Sequence, residues 1–223
     1  MDRQLPGLLH LQANNIFCIG RNYSLHAKEM KSEVPEEPMV FLKPNSALIF
    51  GDEAVKLPPK SKNVHHEVEL VLAIGKDGKN IPRSDALEYL EGIAIGIDFT
   101  ERDLQSIAKK NGWPWTLAKG FDTFAPVSSF ISLNNFREMD GDLSNCKLEL
   151  RINGKRKQAG NTSDLIFPVD FLISYLSTIF TLQPGDLIFT GTPEGVGPVH
   201  NGDRVQATLN SQLLTLEIDV QQI

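Results

Sequence analysis

Two glutamates stand two residues apart at the head of an apolar run, His65-His66-Glu67-Val68-Glu69-Leu70-Val71-Leu72. The run continues to Ile74 and is rich in branched aliphatic residues, which predicts a strand over Val68–Ile74. Residues i and i+2 of a strand face the same side, so Glu67 and Glu69 project together, about 7 Å apart at Cα. Val68, Leu70 and Leu72 face the other way. Two carboxylates that close to about 4 Å repel by roughly 4 kcal/mol at an effective dielectric near 20. Either this face meets solvent, or a divalent cation turns the repulsion into binding.

Other apolar segments alternate with turn signals, and strands are predicted at Ile16–Ile19, Met39–Leu42, Ile93–Ile97, Leu187–Thr190, Arg204–Leu209 and Leu213–Val220. Lys147–Ile152 alternates strictly between polar and apolar residues, and Asn153-Gly154 after it is a strong hairpin signal. Helices are fewer. Thr100 is read as the cap of a helix running through Gln105 and Lys110, with Asp103 as capping-box partner and Gly112 as the stop. Ser84 and Asp85 open a short helix through Leu90. Pro168–Thr178 carries an apolar helical face, and a weaker helix spans Ser24–Met30 before the Pro- and Glu-rich loop Lys31–Pro38. The pattern predicts one α+β domain, mainly β, with a few peripheral helices.

Composition narrows the function classes. The 223 residues carry 22 Lys+Arg against 28 Asp+Glu, a net charge of −6, which argues against a nucleic-acid or anionic-membrane partner. The densest basic run, Lys155-Arg156-Lys157, reads as a solvated patch beside the hairpin turn. Cys18 and Cys146 are too few for a disulfide framework and read as buried thiols in a reducing compartment. No segment approaches the roughly 18 apolar residues of a membrane helix, and the start Met1-Asp2-Arg3-Gln4 does not read as a secretory leader. A cytoplasmic protein is expected, and the Asn161-Thr162-Ser163 sequon carries no weight.

Four groups of residues carry chemistry. The first is Glu67 and Glu69 with Asp98, which ends the apolar segment Ile93–Ile97. Asp98 alone reads equally as the start of a turn, but three acids at two strand positions make an all-oxygen set that favours Mg²⁺ or Mn²⁺ over zinc. His65 shares the Glu face and is a candidate fourth ligand, or else, like His66, a hydrogen-bonded histidine. The second is His26 and Glu29, neighbours at i and i+3 on a helix. They are either a surface pair or a carboxylate-oriented imidazole able to take a proton from water, and the loop after them reads as a movable lid. The third is Trp113-Pro114-Trp115-Thr116-Leu117-Ala118-Lys119, a stiff apolar wall from which Lys119 either snorkels to solvent or meets negative charge. The fourth is Thr190-Gly191-Thr192-Pro193-Glu194-Gly195-Val196-Gly197, which lacks the Gly-Lys-Ser/Thr of a nucleotide loop but can cradle a small carboxylate.

In this order the segments resemble the fumarylacetoacetate hydrolase family. They are most similar to its short members, the acylpyruvate hydrolases and oxaloacetate decarboxylases or tautomerases. The matching residues are Ile19-Gly20-Arg21-Asn22-Tyr23 with His26 and Glu29, Phe41-Leu42-Lys43-Pro44, His66-Glu67-Val68-Glu69-Leu70, Gly96-Ile97-Asp98-Phe99-Thr100 with Arg102 and Asp103, Trp115-Thr116-Leu117-Ala118-Lys119, and Gly191-Thr192-Pro193-Glu194-Gly195-Val196-Gly197. The resemblance runs from about Asn14 to the C-terminus, so residues 14–223 are expected to form a single catalytic domain after an extension of residues 1–13.

The resemblance implies a mixed β-sheet roll, usually dimeric, with Mg²⁺ or Mn²⁺ held by Glu67, Glu69 and Asp98. It further implies His26 and Glu29 as the water-activating pair, Lys119 beside the metal, and Arg21, Arg102, Gln105 and Thr192 near the substrate. A 2-oxo acid offers a carboxylate and a keto oxygen to such a cation. Cleaving a C–C bond β to the keto group, or losing CO₂, leaves an enolate whose charge the cation and Lys119 are placed to stabilise. Acylpyruvate hydrolysis and oxaloacetate decarboxylation are therefore the expected reactions. Oxaloacetate tautomerisation and 2-hydroxyhepta-2,4-diene-1,7-dioate isomerisation are alternatives, as is a non-catalytic β domain that binds a metal or a small acid.

Overall fold

The computed structural model describes residues 3–29, 35–51, 53–59 and 61–223. Its spine is the strand Val68–Ile74, buried along its whole length. It pairs antiparallel with Leu90–Ile97 on one side and with Leu187–Phe189 on the other. Ile16–Gly20 follows parallel to Leu187–Phe189, and Met39–Lys43 closes that flank antiparallel to Ile16–Gly20. On the other flank Ala125–Val127 joins Leu90–Ile97 antiparallel, and Leu48–Phe50 runs parallel beside Ala125–Val127. The two edge strands, Met39–Lys43 and Leu48–Phe50, are consecutive in the chain and joined by the 3₁₀ turn Asn45–Ala47. The five-residue step from Lys43 to Leu48 reaches at most about 18 Å. The sheet therefore curls until its edges approach, giving a mixed β roll.

Alternation along the strands sorts side chains into two cores. Val68, Leu70, Leu72, Ile93, Ile95 and Ile97 face outward from the roll. There they meet Leu148, Leu150, Val205, Ala207 and Ile218 of a second, five-stranded sheet ordered Lys155–Asn161, Lys147–Ile152, Arg204–Leu209, Leu214–Gln222 and Val55–Leu57. Ile16, Cys18, Val71, Ala73, Ala94, Leu187 and Phe189 line the inside. Leu5, Leu8 and Leu11 join this inner core from the hairpin Gln4–Leu5/Leu8–Gln12. Glu69 shares its side of the strand with Val71 and Ala73, so the acid-bearing face points into the roll and not to solvent. Cys18 and Cys146 are buried and unbridged.

Local signals hold with informative exceptions. Asn153 (φ 51°) and Gly154 (φ 75°) form a two-residue turn with both central residues left-handed. It joins Lys147–Ile152 to Lys155–Asn161, with Lys155, Arg156 and Lys157 exposed. The helix Val169–Ile179 begins just after Pro168. Thr100 does not cap the next helix. It pairs with His65 in a small sheet of Thr100–Glu101, Val64–His66 and Gly197–Pro198, and the Glu101 carboxylate caps Arg102–Asn111 by accepting from Leu104 N at 2.5 Å. Gly112 ends that helix at φ 68°. Arg83–Glu88 is a 3₁₀ turn, because strand Leu90–Ile97 begins too soon for an α-helix to develop. Helix Ser24–Glu29 is formed, whereas Met30 and the first half of the expected lid, residues 31–34, lie outside the described residues.

Gly7 and Gly202 test how the N-terminal hairpin is seated. Both have left-handed backbones, φ 89° and 85°, but a Cβ on Gly7 would lie 2.0 Å from the Phe130 carbonyl oxygen, while Gly202 has nothing within 4 Å. Gly202→Ala should cost about 1–2 kcal/mol, the left-handed penalty alone. Gly7→Ala should cost clearly more, because backbone must part from backbone. Urea midpoints compare the two, and equal losses would show that the hairpin does not sit against Phe130.

Candidate functional site

The strand from the small sheet enters the large one at Glu67, between Val64–His66 and Val68–Ile74. Asp98 follows the neighbouring strand and donates its backbone N–H to Glu67 O at 2.8 Å. Glu67, Glu69 and Asp98 are 6%, 2% and 1% exposed. Each offers one carboxylate oxygen to a cluster in which all three atoms lie within 4.8 Å of one another. The cluster opens onto a pocket also lined by Arg21, His26, Arg102, Gln105, Lys119 and Thr192, with Met39, Phe41, Lys109 and Trp115 among the remaining walls. Glu29 stands behind His26, its Oε2 3.2 Å from His26 Nδ1, and accepts from Gly195 N at 3.1 Å.

Cations are distributed unevenly over the three acids. Glu67 accepts from Arg102 at 2.6 Å and from Lys119 at 2.8 Å, with Thr100 Oγ1 3.2 Å away. Burial alone would raise the Glu67 pKa, but Lys119 and Arg102 outweigh it and hold the carboxyl well below the usual range. Lys119 also donates to Asp98 Oδ2 at 2.5 Å. Burial works against its charge, but Asp98 and Glu67 push the ammonium pKa up.

Glu69 has the opposite surroundings. Burial first, then Asp98 and Glu67, push its carboxyl well above the usual range, and its direct donor is the Gly191 backbone N–H at 2.7 Å. Gly191 reaches it with φ 102°, and a Cβ there would lie 2.7 Å from Asn22 Cβ, so a side chain would displace the donor. Asp98 Oδ1 is also left over, buried without a hydrogen bond.

That orphan traces to a lysine whose role the sequence did not signal. Lys43 lies at the end of strand Met39–Lys43, buried, with Nζ 2.7 Å from Asp98 Oδ1. Its protons are directed at the carbonyl oxygens of Phe99 (3.1 Å), Phe124 (3.0 Å) and Lys119, so it gives Asp98 charge but no hydrogen bond. Its sole sequence clue was a lysine in an apolar strand, Phe41-Leu42-Lys43-Pro44. An under-coordinated carboxylate oxygen and a carboxylate without a cationic partner are both demands that a hard divalent cation satisfies, and the donors are all carboxylate oxygens. The residues present fit such an ion.

Three other expectations need correction. His65 is not part of the acid cluster; the break between strands at Glu67 ends the alternation, and His65 Nε2 pairs instead with Asn63 Oδ1 at 2.8 Å. Burial and then Arg102 push its pKa down to about 4. Trp113 is 60% exposed, so the wall is Trp115 packed on Phe41 at a ring distance of 5.8 Å. In the glycine-rich loop the N–H groups of Gly191 and Gly195 hold the protein's own Glu69 and Glu29.

Lys43→Met should destabilise the fold by about 3–5 kcal/mol, because it strands a buried carboxylate and three carbonyls. Denaturant unfolding measures this. A loss below about 1 kcal/mol, the scale of a surface ion pair, would show that Lys43 does not hold this end of the roll.

The fumarylacetoacetate (FAA) hydrolase C-terminal family matches residues 15–221. A mitochondrial oxaloacetate tautomerase, FAHD1, of Arabidopsis thaliana is 45% identical over 210 residues, covering 94% of this chain and 92% of that protein. A mitochondrial oxaloacetate decarboxylase of Dictyostelium discoideum is 45% identical, covering 92% and 93%. Among solved structures, fumarylpyruvate hydrolase from Pseudomonas aeruginosa, in complex with Mn²⁺ and pyruvate, superposes with a TM-score of 0.89 at 37% identity, covering 96% of this chain and 91% of that one. With nearly its whole length matched in sequence and in fold, the chain belongs to the fumarylacetoacetate hydrolase family.

Proposed function

We propose that this protein is a divalent-metal-dependent enzyme acting on small 2-oxo acids, hydrolysing a C–C bond of acylpyruvates, decarboxylating oxaloacetate, or both. The observation that carries this reading is the buried Glu67–Glu69–Asp98 cluster opening onto a pocket with His26, Arg102, Gln105 and Lys119. Pyruvate, named with Mn²⁺ in the Pseudomonas aeruginosa structure, is itself a 2-oxo acid. Mg²⁺ as the resident ion and a homodimer belong to the same proposal and rest on the family resemblance, and a cytoplasmic setting rests on reading Cys18 and Cys146 as thiols of a reducing compartment.

In this reading Glu67, Glu69 and Asp98 hold the ion, and Mg²⁺ or Mn²⁺ supplies Lewis-acid stabilisation of the negative charge that develops on the 2-oxo oxygen. Lys119, kept protonated by Asp98 and Glu67, adds a second positive charge to the same region. Arg102 donates to Gln105 Oε1 at 2.9 Å, which leaves the Gln105 NH₂ group to bind an acid oxygen, with Arg21 at the pocket rim. His26 presents Nδ1 to Glu29, so Nε2 is the atom that takes a proton from water for hydrolysis. Trp115 and Phe41 form an apolar part of the pocket wall. Tautomerisation of oxaloacetate is a second reading, favoured by the Arabidopsis relative, and needs proton movement without an attacking water.

Acetylpyruvate, fumarylpyruvate and oxaloacetate turnover should fall to background after EDTA treatment and return with Mg²⁺ or Mn²⁺. Verified metal-free protein with full turnover would overturn the proposal. The reactions should separate in His26→Ala, which should lose about 10²–10⁴-fold in acylpyruvate hydrolysis, the usual scale of general-base help, and far less in oxaloacetate decarboxylation. Glu29→Gln should show the same bias more weakly. Equal losses of both activities in His26→Ala would remove the base assignment.

A further inference from the structure

Gln158 lies in the second sheet, on strand Lys155–Asn161, yet it is 1% exposed and its side chain bridges the start of the acid-bearing strand and the glycine-rich loop. Its Oε1 accepts from the Val68 backbone N–H at 3.1 Å and lies 2.8 Å from His66 Nδ1. Its Nε2 donates to the Pro193 carbonyl at 2.9 Å and to Thr192 Oγ1 at 2.9 Å.

Two backbone groups fix the orientation of this amide without ambiguity. Val68 N–H can only donate, so Oε1 must face it, and Pro193 C=O can only accept, so NH₂ must face that side. Thr192 Oγ1 is consequently an acceptor toward Gln158, and its own proton has no protein acceptor among the described residues. Thr192 lines the pocket.

We infer that Gln158 is a positioning residue that commits the Thr192 hydroxyl to donate into the pocket, toward an anionic oxygen of the bound acid. The inference rests on the reading that a small 2-oxo acid occupies this pocket. A threonine hydroxyl with no donor set against it would turn a lone pair to the pocket as readily as its proton. The amide removes that choice, so an acid meets a donor already aimed at it. The same contact ties the Thr192–Pro193 turn to the start of the acid-bearing strand, coupling the second sheet to the site. On its other side, His66 must offer Nδ1–H to Gln158 Oε1, which fixes the imidazole tautomer.

Gln158→Glu tests the polarity with almost no change of shape. One carboxylate oxygen still accepts from Val68 N–H, but the other replaces a donor with an acceptor, and Thr192 then donates to it instead of to the ligand. With Mn²⁺-loaded protein and oxalate as an unreactive probe, Thr192→Val should weaken binding by about ten- to a hundredfold, the scale of a lost hydrogen bond to a charged group. Gln158→Glu should match that loss. It should raise KM for oxaloacetate in step, with kcat changed by less than about twofold, and Thr192→Ser should retain tight binding. In the Thr192→Val background Gln158→Glu should cost nothing further. Full oxalate affinity in folded Gln158→Glu protein, or losses that add, would overturn the inference. Should Gln158→Glu not fold, Gln158→Met decides: a loss of about two- to fivefold that vanishes in Thr192→Val supports the inference, and a loss that persists there refutes it. Wild-type protein that binds no oxalate and turns over no 2-oxo acid would instead fail the functional reading, a result distinct from either variant outcome.

Discussion

Three carboxylates buried inside a curled sheet are the constraint that organises this molecule. Each would be neutralised by burial if left alone, and together they repel. The chain answers with Lys119 and Arg102 on Glu67, Lys119 and Lys43 on Asp98, and a single backbone N–H on Glu69. The balance is asymmetric. Two acids are matched by fixed cations, while Glu69 and one oxygen of Asp98 are left with weak partners at the floor of a pocket. An arrangement built for stability alone would not leave demands of that kind where a ligand can reach them.

The rest of the fold keeps that balance in place. Closing the roll brings strand Met39–Lys43 to where Lys43 can gather three carbonyls from beneath the Asp98 turn. The small sheet of Thr100–Glu101, Val64–His66 and Gly197–Pro198 joins the acid strand, the Arg102 helix and the glycine-rich loop at one edge of the pocket. The loop in turn supplies Gly191 to Glu69, Thr192 to the pocket and Gly195 to Glu29. The second sheet holds the loop through Gln158. Pocket-lining groups drawn from distant parts of the chain are thus tied into one hydrogen-bonded frame.

Much of this was legible from the residues. Strand parity put Glu67 and Glu69 on one side, and an acid ending a neighbouring apolar strand singled out Asp98. The Asn153-Gly154 turn and the apolar periodicity gave the sheets. Parity failed for His65 because the strand changes sheets at Glu67, a tertiary event with no local signature. Thr100 looked like a cap because its hydroxyl suits one, but strand pairing took it and left the role to Glu101. The roles of Lys43 and Gln158 were invisible for a common reason: each satisfies backbone groups at least 35 residues away, and no spacing rule reaches that far.

In this reading Glu69, with no cationic partner, and Asp98 Oδ1, with no hydrogen bond, mark the seat of a divalent cation. Calorimetric titration of metal-free protein with Mn²⁺, run side by side on wild type and Glu69→Gln, decides whether the ion binds there. One Mn²⁺ per chain should bind to wild type, and that binding should be lost in Glu69→Gln. No binding to folded wild-type protein, or unchanged affinity in Glu69→Gln, would contradict this reading.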